Sequence, residues 1–141
     1  MSATMVVGCD GSEGGNAALD EALRLAEELG GSIVAVYAYD KVLSGGELAD
    51  LDAAVRARGD ALLAEANARA VAAGVPCSVQ YVEGRPAEAL VAVADQRDAR
   101  FIVVGSYGER PIAGALLGST PHKLMQLSHH PIVVARVPED A

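Results

Sequence analysis

The chain has no tryptophan and only one phenylalanine and four tyrosines in 141 residues. Its core must therefore be built from Ala, Val, Leu and Ile. Cysteine is almost missing: Cys9 and Cys77 stand far apart, with no C-x-x-C pair. That pattern fits neither a disulfide scaffold nor a zinc ribbon, and two free thiols in a reducing compartment are expected. Positive charge is short as well. Eleven Lys and Arg against 19 Asp and Glu leave a formal net charge of −8. This argues against nucleic acid or an anionic membrane surface as the main partner. It does not argue against a small nucleotide, because local backbone dipoles outweigh a distant field. No stretch approaches the roughly eighteen apolar residues of a membrane span. Met1-Ser2-Ala3-Thr4 runs straight into a strand-like segment, so no leader and a cytoplasmic location are expected.

The chain does carry a strict alternation of two periodicities. Met5 to Cys9 is a short apolar run ending in the turn signal Asp10-Gly11-Ser12. From Asn16 to Leu29, Ala18, Leu19, Ala22, Leu23, Ala26 and Leu29 share one helical face, and Gly30-Gly31 ends it. Strands are expected at Ser32–Ala38, Cys77–Val82, Phe101–Val104 and Pro131–Arg136. Helices are expected at about Leu48–Ala73, Pro86–Arg97 and Ser119–Ser128. Gly59 is out of place in the second helix, where it costs about 1 kcal/mol against Ala. The order β-α-β-α-β-α-β-α-β calls for parallel pairing through right-handed crossovers. The expected fold is α/β: an open, Rossmann-like, five-stranded parallel sheet with helices on both faces, in one domain over residues 1–141.

Two glycine-rich stations fall at strand C-termini in this scheme. One is Asp10-Gly11-Ser12. The other is Gly105-Ser106-Tyr107-Gly108, followed after nine residues by Gly118-Ser119 at the head of a helix. If the strand order reverses between the first and fourth strands, the two stations meet at one cleft, where such sheets take ligands. Glycines admit a close approach by backbone, and a helix N-terminus offers free N–H groups to a phosphate. An acidic residue can take a ribose hydroxyl or a phosphate-bound Mg²⁺. Asp10 alone reads as well as an Asx turn or a helix cap. Other phosphate motifs are missing: there is no GxxxxGK[ST], and Gly8, Gly11 and Gly14 are spaced GxxGxxG rather than GxGxxG. His122, His129 and His130 show no metal spacing, and His129-His130 is expected to be a solvated turn.

These residues resemble the universal stress protein family, whose nucleotide-binding members carry G-x2-G-x9-G-(S/T). Here the match is Gly105, Gly108, Gly118 and Ser119. The likeness runs along the whole chain, from Val7-Gly8-Cys9-Asp10-Gly11-Ser12 to Pro131-Ile132-Val133-Val134. It implies that Asp10 lies near the ribose and phosphates and that Ala38 offers backbone to adenine. It also implies that Val104 and Gly105 line the pocket, and that Gly108, Gly118, Ser119 and Thr120 cradle the phosphates. Cys9 and Tyr107 complete the candidate set. Two departures stand out. Tyr107 replaces the His or Arg of many members, and Pro121 replaces a Ser or Thr, removing a hydroxyl and a backbone donor.

The resemblance implies an adenine-nucleotide-binding stress or signalling module. ATP is the expected ligand, with Mg²⁺ alongside it, and AMP or cyclic AMP is the alternative that the two departures favour. No nucleophile–base–orienter set is legible, so an enzyme is not expected, and a slow ATPase is the competing reading. A structural protein with an empty cleft is the third. A homodimer through the edge strand 131–136 is expected, because an unpaired apolar edge invites antiparallel addition.

Overall fold

The computed structural model describes residues 3–39, 48–106 and 118–137, with backbone alone for 48–52. The nine expected elements are present in order. They are β1 (Thr4–Gly8), α1 (Glu13–Leu29), β2 (Ser32–Tyr39), α2 (Leu48–Ala73), β3 (Cys77–Glu83), α3 (Pro86–Arg97), β4 (Phe101–Gly105), α4 (Ser119–Leu127) and β5 (Ile132–Ala135). All strand pairs are parallel, in the order β3-β2-β1-β4-β5. The order therefore reverses between β1 and β4, which run side by side with Val6 opposite Ile102 and Val7 opposite Val103.

Alternation along the central strands divides the core in two. Met5 and Val7 of β1 pack with Leu19, Leu23 and Leu63, between the sheet and the α1 and α2 layer. Val6 packs with Leu90, Ile102 and Leu124, between the sheet and the α3 and α4 layer. Both faces are covered, which is why Ile102 and Val103 of β4 are fully buried in an unbroken apolar run.

Three local expectations change. First, α1 starts at Glu13 rather than Asn16, because Ser12 caps it: its Oγ accepts from the Gly15 N–H at 3.0 Å. The glycines at 14 and 15 hid that start. Second, Gly59 is a packing requirement. A Cβ there would stand 2.7 Å from both Tyr37 Cδ2 and Tyr81 Cε1. The helix gives up propensity so that three of the few aromatic rings, Tyr37, Tyr39 and Tyr81, can cluster beneath it. Third, His130 is no solvated turn residue. Its Nδ1 donates to the Ala99 carbonyl at 2.9 Å, and its Nε2 lies 2.8 Å from Asp95 Oδ1. It ties the end of α3 to the start of β5, and of this pair of histidines His129 is the exposed one. The thiols of Cys9 and Cys77 are free, as expected. No helix among the described residues is long and apolar enough to cross a membrane.

The Gly59 contact decides the sign of a substitution. Gly59→Ala gains about 1 kcal/mol of helix propensity. It also overpacks two tyrosine rings, which costs about 1–3 kcal/mol. Urea denaturation should therefore give a lower midpoint for Gly59→Ala, and a higher midpoint would contradict this packing.

Candidate functional site

At the C-terminal edge of the sheet, beside the reversal, lies a cavity of about 70 Å³. It is lined by Gly8, Cys9 and Asp10 from the end of β1, Gly15 of α1, Val36 and Ala38 of β2, and Val104 and Gly105 of β4. Pro86 and Leu90 of α3 and Thr120 and Pro121 of α4 close it. Of the sequence candidates, Cys9, Asp10, Ala38, Val104, Gly105 and Thr120 are thus brought together. Gly118 and Ser119 head the same helix as Thr120 but do not line the cavity. Tyr107 and Gly108 lie outside the described residues.

Chain geometry explains how these residues arrive. Cys9 follows β1 and still extends its ladder, donating its N–H to the Val36 carbonyl at 2.8 Å. Its thiol is buried, and that burial pushes its pKa up to about 12. A thiol held in this way is a poor nucleophile at neutral pH. Asp10 turns the chain into α1. Its Oδ1 accepts from the Ser12 N–H at 2.9 Å and from the Ser12 hydroxyl. The Asx-turn role is therefore real. It occupies Oδ1, and a carboxylate accepts about four hydrogen bonds in all.

Gly105 is glycine for a reason other than ligand approach. A Cβ there would fall 2.3 Å from the Gly14 carbonyl oxygen and 2.4 Å from Gly14 Cα. Its missing side chain is where α1 seats its first turn. Gly15 is constrained in the same way, since a Cβ would meet Asp10 Oδ1 at 2.4 Å. These two contacts press the N-terminus of α1 against both stations.

The second station is joined by Ser106, the one buried polar residue among the described core residues. Its N–H donates to the Ala135 carbonyl at 2.9 Å, and its Oγ accepts from the Val137 N–H at 3.1 Å. Its carbonyl accepts from the Gly118 N–H at 2.6 Å. The Gly118 amide, expected to meet a phosphate, is thus engaged within the protein. Gly118 is the N-cap of α4 and supplies no side-chain cap. Pro121, buried on the cavity wall, has no N–H. The amides left without an intrahelical partner in that turn are those of Ser119 and Thr120.

Charge on the lining is sparse. Asp10 is the only charged side chain among the described lining residues, and Val36, Ala38, Pro86, Leu90, Val104 and Pro121 make the rest largely apolar. Gly8, Gly15, Val36, Pro86, Leu90 and Pro121 also line the cavity and were not among the site residues read from the sequence. Pro121 stood out there only as a departure beside the phosphate cradle, and Pro86 only as the first residue of a helix that follows a strand.

An apolar cleft at the reversal of a doubly wound parallel sheet, flanked by an acidic turn and a helix N-terminus without a side-chain cap, stands where α/β sheets of this class take ligands. Residues 1–136 match the model of the universal stress protein family, and the chain belongs to that family. It is 37% identical to universal stress protein Rv1636 of Mycobacterium tuberculosis over 125 residues, 84% of this chain and 85% of that protein. It is 29% identical to universal stress protein YxiE of Bacillus subtilis, covering 94% of this chain and 97% of that one. Among solved structures, a universal stress protein in complex with cAMP is 33% identical with a TM-score of 0.75, over 97% of this chain and 98% of that one.

Gly105→Ala should destabilise by about 1–3 kcal/mol, because the added methyl meets backbone that cannot swing away. Chemical denaturation measures this, and an unchanged midpoint would show that α1 does not rest on the end of β4.

Proposed function

We propose that this protein binds an adenine nucleotide at the cleft between β1, β4 and α4 and acts as a small cytoplasmic stress or signalling module. The observation that carries this reading is the pairing of Asp10 and Thr120 on one apolar cavity. The acid suits a ribose, and the open amides of Ser119 and Thr120 at a helix N-terminus suit a phosphate. The base lies against Val36, Ala38 and Leu90, with the rest of the nucleotide in the mouth. The cAMP complex of the relative at 33% identity supports the same ligand class.

The lining also bears on which nucleotide. It has no cation among the described residues, and Pro121 withholds a donor. These groups suffice for the phosphate nearest the ribose and offer little to a terminal one. AMP or cyclic AMP is therefore favoured over ATP, for which Asp10 would hold the accompanying Mg²⁺. The unreactive Cys9 thiol and the lack of a histidine on the described lining support binding without catalysis.

Titration calorimetry tests the choice. Each charge-assisted hydrogen bond is worth about 1.5–3 kcal/mol, so with the terminal-phosphate donors missing AMP and cyclic AMP should bind within about tenfold of ATP or better. ATP with Mg²⁺ binding about a hundredfold tighter than AMP would overturn the argument from Pro121, and no heat with any of the three would overturn the site.

A homodimer through the strand at 131–136 belongs to the same reading. β5 and β3 are the two edges of the sheet. The β5 edge reads Ile132-Val133-Val134-Ala135, without charge, and Met125 and Leu127 of the preceding helix are exposed. β3 carries Ser78, Gln80 and Glu83. Antiparallel pairing of two β5 edges satisfies their free N–H and C=O groups. Light scattering at tens of micromolar should give the dimer mass, and Val133→Lys should give the monomer. A wild-type monomer at that concentration would contradict the pairing.

A further inference from the structure

Arg58 sits on α2, far from the cleft in sequence, yet its Nη2 donates to the Asp10 carbonyl oxygen at 2.9 Å. Leu62, one turn further along α2, approaches the same loop. A Cβ on Gly11 would stand 3.0 Å from Arg58 Nη2 and 3.4 Å from Leu62 Cδ2. Gly11 also has φ +81°, a conformation that favours glycine. The turn is thus held from two directions. The Ser12 N–H and hydroxyl hold the Asp10 carboxylate, and α2 holds the Asp10 carbonyl.

We propose that Arg58 is a positioning residue for the ligand site: by holding the Asp10 carbonyl, it fixes the direction in which the Asp10 carboxylate meets a ribose. This rests on the nucleotide reading above. A carboxylate accepts a hydroxyl well only if its geometry is set before the ligand arrives, and an acidic turn tied at one end alone would lose part of that preorganisation. Nothing in the sequence signalled the contact, since neither Arg58 nor its neighbours form a motif with Asp10.

The test compares AMP with dideoxyadenosine monophosphate, which lacks both ribose hydroxyls, for wild type, Arg58→Met, Arg58→Lys and Asp10→Ala. Methionine keeps an unbranched stem and removes the donors. Melting curves of each variant establish that it is folded. Arg58→Met should weaken AMP by about tenfold, a loss of the order of one charge-assisted hydrogen bond, and leave dideoxyadenosine monophosphate unchanged. Arg58→Lys, which can still donate to a carbonyl, should recover most of the loss. The double variant Arg58→Met, Asp10→Ala should bind AMP no more weakly than Asp10→Ala alone, because both act through one hydroxyl contact. If wild type binds AMP and Arg58→Met is unchanged, or loses both ligands equally, the positioning role is wrong. If wild type binds neither ligand, the nucleotide reading itself fails.

Discussion

The site depends on a contact between two residues that have no side chains. Gly14, in the first turn of α1, lies on Gly105 at the end of β4, so close that a methyl on Gly105 has no room. This contact draws the β1–α1 turn against the β4 end, where the strand order reverses. Asp10 then shares a cavity with Val104, Gly105 and Thr120. In a parallel sheet the helices must cross back over the strands, and their N-termini return to the C-terminal edge of the sheet. The glycine seam decides how near α1 comes. Ser106 does the same on the other side, joining β4 to β5 and to the head of α4 through one buried residue.

The electrostatics of the cleft follow from backbone more than from side chains. An acidic chain holds back polyanions at long range. Close in, an uncapped helix start presents amides whose charge does not depend on a lysine or arginine. In α1 the Ser12 and Gly15 amides are taken by the side chains of Asp10 and Ser12. α4 has no such side-chain cap, because its N-cap is Gly118. The two helix starts on the cleft thus differ in their caps.

Much of this was legible in the sequence. Alternating strand and helix periods gave the element order, and unbroken apolar runs such as Phe101–Val104 gave central strands. Asp10 and Gly105 could be placed because each stands at the end of a strand whose direction the topology fixes, whereas Ala38, Val104 and Thr120 came from the resemblance to the family. Other features had no local signal. The start of α1 was hidden by glycines whose helical state depends on contacts with Asp10 and Gly105. Gly59 looked like a flaw because the tyrosines it admits lie on other strands. His130 looked solvated because Asp95 and Ala99 are distant in sequence. Arg58 was silent for the same reason. The amide of Gly118 was assigned to a ligand because Ser106, whose carbonyl accepts from it, stands far off in the sequence.

An NMR titration with AMP, read amide by amide, tests the central claim most directly. The account predicts that the largest changes fall on Ser119 and Thr120 and on the turn from Asp10 to Gly15. Gly118 should move little, because its N–H is already engaged by Ser106. Changes centred on Asp60, Asn67, Ser78 and Tyr81, which line a groove between α2 and β3, with Ser119 and Thr120 unmoved, would contradict it.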